Sequence, residues 1–134
     1  MELPHSPPTH DSKAVGAAGL RTAIRIMEKW PANQDQIANI LRVSASTIAR
    51  AKASKQHVFN LDADQLDRIS YVLNIHAALR LLFENQENVN HFVTMPNHNP
   101  FFNGRTPLAI MAEGSFVNLY ETFRHINGLR GALW

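Results

Sequence analysis

The chain is 134 residues long, 45% apolar and 18% charged, and has no cysteine. That is one globular domain's worth of polypeptide rather than a disordered one, and the missing thiols exclude disulfide scaffolds, cysteine nucleophiles and cysteine-ligated zinc. The net charge of +2 divides unevenly: residues 1–57 carry eight Lys or Arg against four acids, and residues 58–134 five against seven, the pattern of one surface for a polyanion and another for a different partner.

Residues 1–12, with three prolines and no apolar periodicity, read as a disordered leader. They have neither the basic nor the apolar stretch of a secretory signal. Ser12 is placed as the cap of a helix reaching about Lys29, with Leu20, Ile24 and Met27 on one face. Trp30 precedes Pro31 and is thereby pushed out of the α region, which stops that helix. Two short helices follow, about 34–41 and 45–53. Asp62 and Gln65 then have the spacing of a capping box and open a long helix to about Asn85. Leu66, Ile69, Leu73, His76 and Arg80 line one stripe of it, and Val72, Ile75, Leu79, Leu82 and Phe83 another. A helix apolar most of the way round is central or lies at a subunit interface, and the second stripe is a candidate homodimer face.

A short helix with Val89, Phe92 and Val93 comes next, then a loop over 95–105 dense in turn residues. Thr106 and Pro107 stand in the order of an N-cap and a first-turn proline. Gly114 and Ser115 separate that helix from a last one, whose stripe of Phe116, Leu119, Tyr120 and Phe123 reads as core and which Gly128 closes. Strand signals are nearly absent, so the expected fold is all-α with six or seven helices. No apolar run approaches the roughly 18–20 residues that span a bilayer. A cytoplasmic location with no membrane partner is expected.

The strongest local signal lies between Gln36 and Lys52. Two short helices crossing at a sharp angle need a small residue where they touch, and Ala38 supplies it. Ile37, Leu41, Val43, Ile48 and Ala51 fall at the spacings that bury the inner faces of a helix-turn-helix. Ser44 would cap the second helix, leaving Ala45, Ser46 and Thr47 at its amino end, where a recognition helix meets base edges or phosphates. Arg50, Lys52 and Lys55 follow for backbone contacts, and Gln36 completes the candidate DNA-binding set. The turn position usually held by glycine is Arg42, a replacement that costs on the order of 1 kcal/mol. The same spacing also suits an ordinary helical hairpin with no DNA role.

Seven histidines raise the question of a metal, but none forms an i, i+4 pair and no carboxylate cluster accompanies them. There is no phosphate-binding glycine loop and no nucleophile elbow. No catalytic residue, metal ligand or cofactor is expected, and the chain reads as a non-enzyme.

The carboxy-terminal half carries a more specific combination. Pro96 and Asn97, the run from Gly104 through Arg105, Thr106 and Pro107 to Leu108, and Gly128 resemble the toxin-binding domain of the Xre/MbcA/ParS antitoxin family, as does Leu66-Asp67-Arg68. The stretch from Ile37 to Arg50 resembles that family's Xre-like helix-turn-helix, so the similarity spans about residues 34–128. The resemblance implies a leader over 1–12, a helix-turn-helix DNA-binding region over 13–60, and a helical dimerisation and toxin-binding domain over 61–134. It further implies an antitoxin of a type II operon, whose partner is a RES-domain toxin that resembles ADP-ribosyltransferases and depletes NAD⁺. Such an antitoxin occludes the toxin's cleft and represses its own operon by binding operator DNA at the nucleoid, as a homodimer within a larger complex. Toxin contact falls on Asn97, Arg105, Asn127, Gly128, Leu129, Arg130, Leu133 and Trp134. A flexible tail from Gly128 offers Arg130 as a cation and Trp134 as a rigid aromatic anchor, side chains of the kind that dominate interface energetics; alternatively Trp134 folds back on its own helix. Two other readings share the front half: a stand-alone repressor whose second half only dimerises, and an interaction module that has lost DNA binding.

Overall fold

A computed structural model describes residues 10–132 of the chain. Most of the expected leader, and Leu133 and Trp134 of the candidate toxin contacts, lie outside the described residues. Helices follow one another as α1 (His10–Lys29), α2 (Gln34–Leu41), α3 (Ala45–Ala53), α4 (Ala63–Leu82), α5 (Gln86–His91), α6 (Pro107–Met111) and α7 (Phe116–Ala132), with a 3₁₀ turn over Phe92–Thr94. No strand occurs among the described residues. The fold is all-α, and α1 begins at His10, two residues ahead of the expected cap at Ser12.

The caps explain most boundaries. The side chains of Asn33, Ser44, Asp62 and Thr106 each accept a hydrogen bond from the backbone N–H three residues on, so α2, α3, α4 and α6 begin with one of their orphan donors satisfied. At Asp62 the capping box is complete, because Gln65 reaches back to the Asp62 N–H at 3.0 Å. Trp30, directly after α1, is fully buried beneath the first three helices.

α4 is the central element. It packs against α1 and α7 along most of its length and also against α2 and α5. Val72, Ile75 and Leu79 are each 0% exposed. Over these three residues the second stripe is covered by the chain's own helices, which corrects the homodimer-face expectation there, while Leu82 and Phe83 are half-buried. The residues at Gly16 and Gly19 allow α1 to come close, since a Cβ there would sit 3.2 Å from Leu66 Cδ2 and 3.3 Å from Ile69 Cγ2.

The stripe of α7 is core only in part, which corrects the expectation from its spacing: Leu119 is buried, Phe116 and Phe123 are half-buried and Tyr120 is exposed. Tyr71 of α4 meets the rings of Phe116, Tyr120 and Phe123 edge-on, at centroid separations of 5.5, 5.7 and 5.4 Å, the geometry that places positive ring edges on negative faces. The expected end of α7 at Gly128 is wrong: the helix continues to Ala132. A glycine stops a helix only where the chain turns back through the left-handed region. Otherwise it stays helical at a cost of roughly 0.5–1 kcal/mol relative to alanine.

Candidate nucleic-acid interface

The inner faces of α2 and α3 pack as the spacing predicts, with Ile37, Leu41, Val43, Ile48 and Ala51 all buried and Ala38 half-buried against them. The turn between them passes through Arg42, whose φ of 55° and ψ of 45° are the left-handed values a glycine would take. Three contacts hold that turn. The carbonyl of Arg42 accepts a hydrogen bond from Gln65 Nε2 at 2.8 Å. Its Nε lies 2.7 Å from Asp64 Oδ2, and its Nη2 pairs with Asp62. The Arg42 guanidinium, by hydrogen bonding and charge, holds both carboxyls below the usual carboxylate range. In return the two carboxylates raise the arginine.

Behind this pair sits Arg68, which is only 6% exposed. Its Nε donates to Asp64 Oδ2 at 2.9 Å and its Nη1 to the carbonyls of Gly114 at 2.8 Å and Ile40 at 3.3 Å. A buried cation needs such partners. The Leu66-Asp67-Arg68 run contained this residue, but nothing local in it names the partners, which lie 28 and 46 residues away.

The amino end of α3 stands open to solvent. Ala45, Ser46 and Arg50 are exposed and Thr47 is half-buried. Ser44 Oγ accepts from the Thr47 N–H at 3.1 Å and lies 3.1 Å from Ser46 Oγ, while Thr47 Oγ1 meets Arg50 Nη2 at 3.5 Å. Thr47 and Arg50 also line a shallow depression of about 320 Å³, shared with His57 and Asn60 of the loop after α3. Those two residues were missed in the sequence, where only their place in a polar segment following a recognition helix marked them.

Other expected DNA contacts have additional duties. Gln36 accepts from the Asn33 N–H at 2.9 Å and so closes the capping box of α2. Lys52 Nζ is paired with Glu28 Oε2 of α1 at 2.7 Å. Lys55 is exposed beyond the end of α3. Arg21 of α1, counted in the sequence only as a charge, caps the other end of α3: it donates to the carbonyl of Ser54 at 2.7 and 3.1 Å, to that of Ala51 at 3.3 Å, and to that of His57. Cations at a helix carboxy terminus complement its dipole.

The candidate partner surface is arranged differently. Asn97 Oδ1 accepts from the Asn99 N–H at 2.9 Å, and the Asn97 backbone pairs with Gly104 and Arg105 across the loop. Arg105 Nη1 is paired with Glu113 Oε1 at 2.7 Å. The loop lies on α7 through Phe101, stacked on His125 with centroids 4.8 Å apart and planes 13° from parallel. Two residues further along α7, Asn127 Oδ1 accepts from Arg130 Nη1 at 2.9 Å, and Gly128, Leu129 and Arg130 are exposed. The loop therefore meets α7 at His125, two residues before Asn127. The segment Gly128–Ala132 is helical, correcting the flexible tail; the physical reason is the glycine behaviour given above.

Among the described residues, no group of three or more His, Asp or Glu is placed to hold a metal ion, and no helix is long and apolar enough to cross a membrane.

Comparison with known proteins bears on the same region. Residues 9–74 match the family described as the antitoxin Xre-like helix-turn-helix domain. That match includes α1 through α3 and the first half of α4. The chain is also 32% identical over 127 residues to the uncharacterized protein y4oB of Sinorhizobium fredii (strain NBRC 101917 / NGR234), with 94% of each chain covered.

Proposed function

Residues 9–74 form an antitoxin Xre-like helix-turn-helix domain, and from that premise we propose that the chain restrains a RES-domain toxin while repressing their shared operon. The observation that carries the DNA-binding half is the open amino end of α3, where Ser46, Thr47 and Arg50 stand at the surface of a helix capped at both ends. Base edges are read there by Ser46, Thr47 and Arg50, with Ala45 in apolar contact and Ser44, Lys55 and Gln36 near phosphates. Lys52 joins them by exchanging Glu28 for a phosphate. The protein acts as a regulator and not as an enzyme, works as a homodimer on a near-palindromic operator, and resides at the nucleoid when bound to DNA.

Occlusion of the toxin falls to the loop and the end of α7. Leu129 and Arg130 are exposed on the last turns of that helix, and Leu133 and Trp134 follow in the sequence. Asn97 and Arg105 hold the loop that meets α7 at His125, and Asn127 and Gly128 follow on that helix. A helix end presenting a cation and apolar side chains suits a cleft built for a dinucleotide, which offers polar groups for phosphates and flat walls for rings.

Two measurements, one in cells and one on the purified chain, test both halves. Cells expressing the RES toxin keep their NAD⁺ when the full chain is present and lose it when the chain ends at Gly128. If the shortened chain protects equally, the end of α7 does not occlude the cleft. In parallel, duplex DNA from upstream of the gene binds the purified chain in a manner that weakens steeply with salt, as counterion release requires. Equal binding to unrelated DNA would remove the repressor role.

A further inference from the structure

The turn of the helix-turn-helix is tied to the opposite end of the sequence by one run of polar contacts. Arg42 pairs with Asp62 and Asp64, Asp64 is shared with the buried Arg68, and Arg68 holds the carbonyls of Ile40 in α2 and Gly114 in the α6–α7 turn. Asn39 adds a parallel tie, donating to the carbonyl of Ala112 at 3.2 Å. We propose that Arg42 is a positioning residue for DNA recognition, its carboxylate pairs fixing the angle of α3 where a turn of this kind ordinarily relies on glycine. The inference rests on the DNA-binding reading above.

A glycine at this position would adopt the same left-handed backbone without strain, so the arginine is not there for the turn alone. Exposed ion pairs add little stability; Arg42 and Asp62 have side chains 49% and 55% exposed. What such a pair supplies is direction. Residue 42 is the hinge between the two helices, and α3 begins three residues later at Ala45. A swing of roughly 10° there moves Arg50 by about 1 Å and the last turn of α3 by about 2 Å, whereas a hydrogen bond tolerates a few tenths. The anchor of the strut is firm, because Asp64 lies in the first turn of the central helix and is itself held by Arg68.

The test titrates two duplexes, one from upstream of the chain's own gene and one shuffled to the same composition, with the wild-type chain, Arg42→Gly, Asp64→Asn and the double variant. Thermal unfolding is recorded for each. A positioning role predicts that Arg42→Gly melts no lower than wild type, yet loses about fivefold or more of its affinity for the upstream duplex while shuffled DNA changes less than about twofold. Asp64→Asn loses upstream affinity as well, and the double variant loses less than the two single losses combined, because the Arg42–Asp64 contact is common to both changes. Three outcomes overturn the proposal. Upstream affinity unchanged in Arg42→Gly makes the pair incidental. Equal weakening on both duplexes, with Asp64→Asn binding tighter through a released guanidinium, makes Arg42 a phosphate contact. A wild-type chain that does not distinguish the duplexes overturns the DNA-binding reading itself, and the role of Arg42 with it, before any substitution is made.

Discussion

The amino end of α3 and the loop over 95–105 were both expected to meet a partner, and their polar side chains are employed in opposite ways. Around α3, Ser44, Ser46, Thr47 and Arg50 bond to one another and to their own helix. In the loop, Asn97, Asn99 and Arg105 are engaged in holding the fold, the asparagines on loop N–H groups and the arginine on Glu113. The difference follows from the backbone. A helix satisfies its own N–H and C=O groups along its length and leaves only those at its two ends to caps, whereas a loop without regular structure must find a partner for each such group, and nearby side chains are recruited. A polar residue at a helix end is therefore a better guide to a binding surface than the same residue in a compact loop.

Substitutions can break or sharpen that contrast. The largest effect is expected at Ile75, fully buried on α4 beneath both regions. Ile75→Ala should destabilise the chain by about 2–5 kcal/mol, the usual range for such a cavity. Because α4 supports α1 and α7 alike, urea unfolding followed separately by a probe near α3 and one near α7 should show the same midpoint shift. Two midpoints moving apart would mean that the two regions fold independently. Next comes Arg68→Met, which leaves the carbonyl of Gly114 without its 2.8 Å donor. A loss of about 1–3 kcal/mol is expected from unsatisfied buried acceptors, and hydrogen exchange should rise in the α2–α3 turn and the α6–α7 turn together. The smallest effect has the opposite sign. Gly128→Ala should stabilise by about 0.5–1 kcal/mol, since the position is helical and nothing lies within 4 Å of the added Cβ. A destabilised variant would show that the chain leaves the helix at that point, restoring the flexible tail.

Local signals made much of the helix-turn-helix readable in advance. The spans of α2 and α3, the Ser44 cap, the Asp62–Gln65 capping box and the five buried residues of the inner faces all depend on neighbours within a few positions. What the sequence withheld was long-range. The replacement of a turn glycine by Arg42 looked like a weakness, because the carboxylates that receive its side chain lie 20 and 22 residues further on. The two apolar stripes of α4 declared a helix covered on several sides, but periodicity carries no information on whether the cover is α7 or another molecule. Gly128 was misjudged for a related reason: glycine permits a stop, and only the surrounding chain decides whether one occurs. In the candidate site, the capping role of Arg21 and the long-range contacts of Arg68 escaped notice because those partners are backbone carbonyls, which leave no mark in composition or spacing.

One helix serving two masters also limits how such chains can exchange parts. A crossover within α4 would marry the first-turn carboxylates of one parent to the α6–α7 connection of the other, and the guanidinium between them has room for only one arrangement of carbonyls. Chimeras between relatives should therefore be least stable when the junction falls between Asp64 and Arg68 and divides the ion pair itself; a junction after Leu82 keeps that pair in one parent but still sets it against the other parent's Gly114 carbonyl.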